Sequence, residues 1–245
     1  MIRKIFLKLN AIANRKSDKY RIFKKEYELF KKLDLNQRLP TEKKDWYPCL
    51  NDNTSNTQFD SHYIYHPAWA ARIVKQINPN VHVDISSTLH FCSIVSAFIP
   101  IDFYDFRPAN LRLDNLNSRQ ADLTSLHFQD NSIQSLSCMH TIEHIGLGRY
   151  GDPIDPDGDL KAINELKRVC APMGNLLLVV PVGKQKVMFN AHRIYSPHQI
   201  INYLDGFTLN DFSLVTDSGD FINKADLELA AQQNYGCGCF WFTKN

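Results

Sequence analysis

Residues 119–146 read RQADLTSLHFQDNSIQSLSCMHTIEHIG, and residues 159–183 read DLKAINELKRVCAPMGNLLLVVPVG. No other part of the chain constrains the architecture as tightly. Ile133 to Met139 is a short apolar run bounded by turn residues, the pattern of a buried strand. A polar turn, His140 to His144, follows it. Asp159 to Cys170 has the form of a helix, stopped by Pro172-Met173-Gly174, and Leu176 to Val182 reads as the next strand. A strand, a helix and a strand in this order make the repeating unit of a parallel sheet. Asp122 and the polar turn both fall at strand ends, where open α/β sheets bind ligands.

The same alternation extends outward. Upstream, Val81 to Ile85 reads as a strand, Leu89 to Phe98 as a helix and Pro100 to Asp105 as a second strand, with a weaker strand near Ser118 to Ala121. Downstream, Ser196 and Pro197 suit the start of a helix running to Leu204. Phe207 to Val215 and Gly238 to Phe242 read as closing strands. The expected fold is α/β, a doubly wound, mostly parallel seven-stranded sheet over residues 63–245. A helix from Pro67 to Ile77 precedes it, and the polar, turn-rich residues 46–62 read as a linker or surface loop.

Composition bounds the class. A chain of 245 residues with 44% hydrophobic residues suits one large globular domain with an appendage. No apolar run reaches the roughly 20 residues that span a bilayer. The N-terminus lacks the apolar core and cleavage site of a secretory signal, and the six cysteines are scattered, as in a reducing compartment. The expectation is a cytoplasmic protein. The net charge of +2 hides an asymmetry: residues 1–45 hold 14 Lys and Arg against 6 Asp and Glu, so the remainder is acidic. Within this basic arm Ile2, Ile5, Phe6, Leu9, Ile12 and Ala13, and then Ile22, Phe23, Tyr27, Phe30 and Leu33, recur at helical spacing. Two readings stay open: an arm that packs on its own domain or on a second copy in a homodimer, or a helix in which residues 1–33 lie on an anionic membrane surface. The acidic body and the absence of a nucleic-acid motif argue against nucleic acid as a partner.

The long quoted stretches resemble the second half of the class I S-adenosylmethionine (SAM) methyltransferases. Asp122, Phe128, Asp130 to Ser132, His140, Glu143, His144, Glu165 to Val169, Pro172, Gly174 and Pro181 match that pattern. The insert GRYGDPIDPDGD and the segment FNAHRIY are similar to a narrower family, domain of unknown function 268, over roughly residues 60–243. The resemblance implies SAM as cofactor, with Asp84, Ile85, Ser86 and Ser87 at the first strand's turn. It also implies Asp105 on the ribose hydroxyls, Asp122 and the Leu123 backbone at the adenine, and His140 lining the pocket. The first turn departs from the family, because Ser86 and Thr88 replace its glycines.

The mouth beside that pocket is polar. His192 is the candidate general base, since an imidazole titrates near neutrality, with His144 and Asp152 as further catalytic candidates. Arg149, Tyr150, Asn190 and Arg193 are the candidate acceptor-binding residues, Arg193 suiting a phosphate or carboxylate. HTIEH matches an inverted zinc-protease motif but follows a strand instead of lying on a helix. Asp155, Asp157 and Asp159 alternate like a calcium loop but lack its closing glutamate. Cys237-Gly-Cys239 has no second pair at zinc spacing and reads as the edge of the last strand. No metal site is therefore expected. The function expected is methyl transfer to an oxygen or nitrogen of a polar acceptor, such as a sugar or glycan precursor. The rival, favoured by the missing glycines, is an inactive module of the same fold binding a nucleotide-sugar or protein.

Overall fold

The computed structural model describes residues 2–245, with side chains from Ser17 onward. It divides into two compact units, Met1–Gln58 and Phe59–Asn245. In the first unit, α1 (Ile2–Leu33) presents Phe23 and Tyr27 to Trp46, with ring centroids 5.1 and 4.9 Å apart. Ile22, Phe30 and Leu33, drawn from the same apolar stripe, are exposed. The positions Ile2 to Ala13 of that stripe lie outside the residues whose side chains are described. No helix among the described residues is long and apolar enough to cross a membrane.

The second unit opens with α2 (Ser61–Ile77), then runs β1 (His82–Ile85), α3 (Leu89–Val95), β2 (Ile101–Asp105), β3 (Leu116–Gln120) and β4 (Ile133–Met139). It continues through α4 (Gly158–Val169), β5 (Cys170–Val182), a hairpin of β6 (Lys186–Met188) and β7 (His192–Ile194), and α5 (Pro197–Tyr203). It closes with β8 (Phe207–Val215), β9 (Phe221–Ile222), α6 (Leu227–Ala231) and β10 (Gly236–Lys244). The main sheet has the order β3-β2-β1-β4-β5-β10-β8-β9. Its first five strands are parallel and the rest antiparallel. The sheet therefore has eight strands instead of the expected seven; the extra one is β9, a two-residue strand on the edge of β8.

Helix α2 also differs from expectation. It starts at Ser61, well before Pro67, because Asp60 caps it by accepting from the Tyr63 amide at 3.2 Å. This early start places His62, Tyr63 and His66 on a helix.

The sheet is covered on both faces at its centre, so strands such as β4 and β5 are buried on both faces. Along β5, Leu176, Leu178, Val180 and Val182 join the core shared with α4 and α5, while Leu177 and Val179 join the core under α2 and α3. Helix α4 buries Ala162, Ile163, Leu166 and Val169, one face at helical spacing. Its polar side fixes the loop after β3. Arg168 donates to the carbonyls of Leu126 and Phe128, both at 2.8 Å, while Glu165 accepts from the Leu126 amide at 2.7 Å. The ELKRV signature thus serves as a clamp for the loop that carries Asp122.

Candidate functional site

Strand order reverses between β1 and β4, which pair with Asp84 opposite Ser137. The two turns leaving these strands sit side by side, tied by the Thr141 hydroxyl donating to the Ser86 carbonyl at 2.8 Å.

The turn after β1 is internally saturated. Asp84 is fully buried and accepts from the Ser87 amide at 2.9 Å and from the Ser137 hydroxyl. Ser137 is bonded in turn to His82 Nε2, and His82 Nδ1 to Ser135, each at 2.8 Å. Burial lowers the His82 pKa to about 3 and raises that of Asp84 to about 6, the latter against hydrogen bonds from Ser137 and Ser87 that pull it down. The Ser87 hydroxyl accepts from the Met139 amide at 3.0 Å, and Thr88 caps α3 by accepting from Phe91 at 3.2 Å. Ser86 holds φ +60°, the left-handed conformation that favours glycine, and turns its hydroxyl onto the Tyr104 carbonyl at 3.2 Å.

A cleft of about 270 Å³ opens above these turns, lined by Ser86, Asp105, Asp122, Leu123 and His140 among others. Asp105 accepts from the Arg107 amide at 2.6 Å, and Asp122 from Thr124 at 2.8 Å, each through one oxygen. The second oxygen of each has no partner among the described residues. Phe106, next to Asp105 and exposed, lines the same cleft. Tyr150, which also lines the cleft, has two guanidinium groups against its ring, Arg107 at 4.6 Å and Arg149 at 5.1 Å from the centroid.

A second chamber, about 580 Å³, adjoins it and shares His140, His144 and Tyr150 as a common wall. Tyr63, Glu143, Arg149, Asn190, His192 and Tyr235 are among its other lining residues. His140, at φ +55°, bonds Glu143 Oε1 through Nδ1 at 2.9 Å. His144 Nδ1 bonds the Ala191 carbonyl at 2.6 Å. Burial lowers the pKa of His192, so its neutral imidazole faces the chamber at neutral pH. Four buried atoms here have no hydrogen-bond partner: Nε2 of His66, His140 and His192, and Oε2 of Glu143.

Of the residues singled out in the sequence, Ser86, Asp105, Asp122, Leu123 and His140 meet at the cleft, and His144, Arg149, Tyr150, Asn190 and His192 at the chamber. Asp84, Ile85 and Ser87 lie beneath the cleft, buried. Two expectations need correction. Arg193 faces neither cavity; it is buried and donates to the carbonyls of Ile145 at 2.6 Å and Pro156 at 3.0 Å, bracing the glycine-rich insert. Asp152 lines the cleft, but it accepts from the amides of Gly146, Gly148 and Tyr150 at 2.7, 3.3 and 3.2 Å. Desolvation pushes its pKa up, and these amides outweigh that to hold it below the usual carboxylate range, which ill suits a base. Phe106, Arg107, Tyr63 and Tyr235 were missed. An aromatic residue directly after a strand-end acid was the available signal for Phe106, whereas Tyr63 and Tyr235 arrive from distant segments.

Residues 114–235 match the family model described as "Caenorhabditis protein of unknown function, DUF268". No curated protein matches the sequence. Among solved structures, a candidate methyltransferase from Bacillus halodurans is 13% identical, with 73% of this chain and 98% of that one covered and a TM-score of 0.52. The Burkholderia thailandensis 1,6-didemethyltoxoflavin-N1-methyltransferase, with 1,6-didemethyltoxoflavin and S-adenosylhomocysteine bound, is 11% identical, covering 74% and 79%, with a TM-score of 0.53. The [4+2]-cyclase SpnF is 15% identical, covering 73% and 80%, with a TM-score of 0.50. At such identities the likeness is one of fold. Residues 114–235 carry the DUF268 family signature, and the domain that holds them has the fold of the class I SAM-dependent methyltransferases.

Proposed function

We propose that the domain binds SAM in the cleft and transfers its methyl group to an oxygen or nitrogen of a polar acceptor in the adjoining chamber. The observation that carries this reading is the pair Asp105 and Asp122, which line one cleft at the strand crossover and use only one carboxylate oxygen each in internal hydrogen bonds. Adenosine presents a ribose diol and an exocyclic amine, donors that need acceptors of this kind. The Phe106 ring offers an apolar face for the base. Ser86 keeps the left-handed backbone that glycine would supply and folds its hydroxyl away, so only its small side chain takes up room. The residues present therefore suit the cofactor.

When bound, the cofactor supplies an electrophilic methyl group on a sulfonium sulfur. The chain's part is alignment and proton removal. Neutral His192, whose ring lines the chamber, accepts the acceptor's proton as the new bond to the methyl group forms and the bond from methyl to sulfur breaks. His144 acts by position, holding the Ala191 carbonyl next to His192. Arg149, Asn190, Tyr63 and Tyr235 offer donors to a hydroxylated acceptor such as a sugar or glycan precursor.

A second reading, a binding module without catalysis, is favoured by the side chain of Ser86 at a left-handed position that suits glycine. Calorimetry separates the two. SAM and S-adenosylhomocysteine should bind the full chain, and Asp105→Ala should weaken both at least about tenfold, the worth of a hydrogen bond to a charged group. No heat and no thermal shift at millimolar SAM would leave the module as the only reading.

A further inference from the structure

We propose that His62, His140 and Cys237 bind one divalent transition-metal ion of the zinc class, at the wall of the acceptor chamber. The three come from separate elements: the first turn of α2, the turn after β4 and the start of β10. All three are buried, and their ligand atoms lie within 4.8 Å of one another. Two imidazoles and a thiolate around one zinc stand roughly 3.3–3.8 Å apart, given bond lengths of about 2.0–2.3 Å. Side-chain adjustment of about an ångström closes the set.

The surroundings argue for a ligand more strongly than the spacing does. The His140 side chain is 3% exposed, and its Nδ1 is held by Glu143 Oε1 at 2.9 Å. With the proton on Nδ1, Nε2 carries a lone pair, and that atom is buried with no partner. Leaving such a group unmatched is costly. A carboxylate behind a histidine whose other nitrogen is free is the usual outer shell of a metal ligand. His62 is fixed as well, stacked between His140 and Tyr235 with ring centroids at 5.6 and 5.1 Å. Imidazole with thiolate disfavours magnesium and calcium and suits zinc.

On binding, the Cys237 thiol gives its proton to solvent and the sulfur becomes a ligand. Three protein ligands leave a fourth position, and His140 belongs to both the site and the chamber lining. An acceptor hydroxyl bound there would be acidified by the ion, which adds to the proposed reaction without requiring it. Metal binding itself does not depend on SAM.

The test uses the full chain, purified without a polyhistidine tag. Elemental analysis should find about one zinc per chain. Replacement by cobalt(II) should give tetrahedral d–d bands with a sulfur-to-cobalt charge-transfer band. Cys237→Ser should abolish the charge-transfer band, and Cys239→Ser, whose sulfur lies 3.9 Å from that of Cys237, should keep it. The wild-type spectrum needs no variant to fold. Protein that is zinc-free as isolated and shows no cobalt spectrum on titration overturns the proposal. So does a charge-transfer band that survives Cys237→Ser.

Discussion

The turns after β1 and β4 are neighbours with the same task, and the chain treats them in opposite ways. Both enter through a non-glycine residue in the left-handed region, Ser86 at φ +60° and His140 at φ +55°. After β1, every hydroxyl and the buried carboxylate find internal partners, from Asp84 through Ser137 to His82. After β4, His140 Nε2 and Glu143 Oε2 are buried and unmatched. A saturated buried network rigidifies, whereas an unmatched one is costly and persists where a ligand completes it. The first turn therefore acts as scaffold, whereas the second keeps polar groups without internal partners.

Four changes would break or sharpen this contrast. The largest effect belongs to Ser137→Ala, which strips a donor from Asp84 and a partner from His82 at once. Two stranded buried groups should lower unfolding stability by about 2–5 kcal/mol in urea titrations; a loss under about 1 kcal/mol would show the network is not what holds the turn.

Next is pH. The folded pKa of Asp84, about 6, lies above its ordinary value, because burial favours the neutral acid. Its contribution to stability is then complete below about pH 4 and is lost as pH rises through about 6. Asp84→Asn, which cannot ionise, should show a flatter dependence of melting temperature over that range. Parallel profiles for the two proteins would contradict the assignment.

Ser86→Gly removes a side chain from a left-handed position at the expense of one 3.2 Å hydrogen bond. Stability should hold or rise by about 1 kcal/mol, and SAM should bind more tightly in calorimetry. Weaker binding would mean that the serine itself contacts the cofactor.

The smallest stability effect is expected of Glu143→Gln, despite its burial. A glutamine oxygen still accepts from His140 Nδ1, and the second carboxylate oxygen had no partner to lose. Melting should shift by no more than about 1 kcal/mol equivalent, while any methyl transfer and cobalt spectrum change markedly. A large loss of stability with unaltered activity would make this turn scaffold too.

Much of the architecture was legible because its signals are local. The apolar run of Ile133 to Met139, the α4 helix and the β5 run each follow from neighbours a few residues apart. The acids Asp105 and Asp122 could be found because a strand end is a position in the sequence. Arg193 and Asp152 were misread for a related reason. Their residue type suits a substrate, but both are spent on backbone groups of the glycine-rich insert. The start of α2 was placed too late because Pro67 suits a first turn, while the cap at Asp60 sets the real one.

The amino-acid sequence alone thus determined the strands, the helices, the crossover and the acids at its rim, because periodicity and turn chemistry act over short stretches of chain. Only the tertiary structure decided which hydroxyls of the first turn are already occupied. Only it brought His62, His140 and Cys237 together, buried and with ligand atoms within 4.8 Å of one another. Contacts between such distant positions depend on how the sheet and helices close on each other, and no local pattern encodes that.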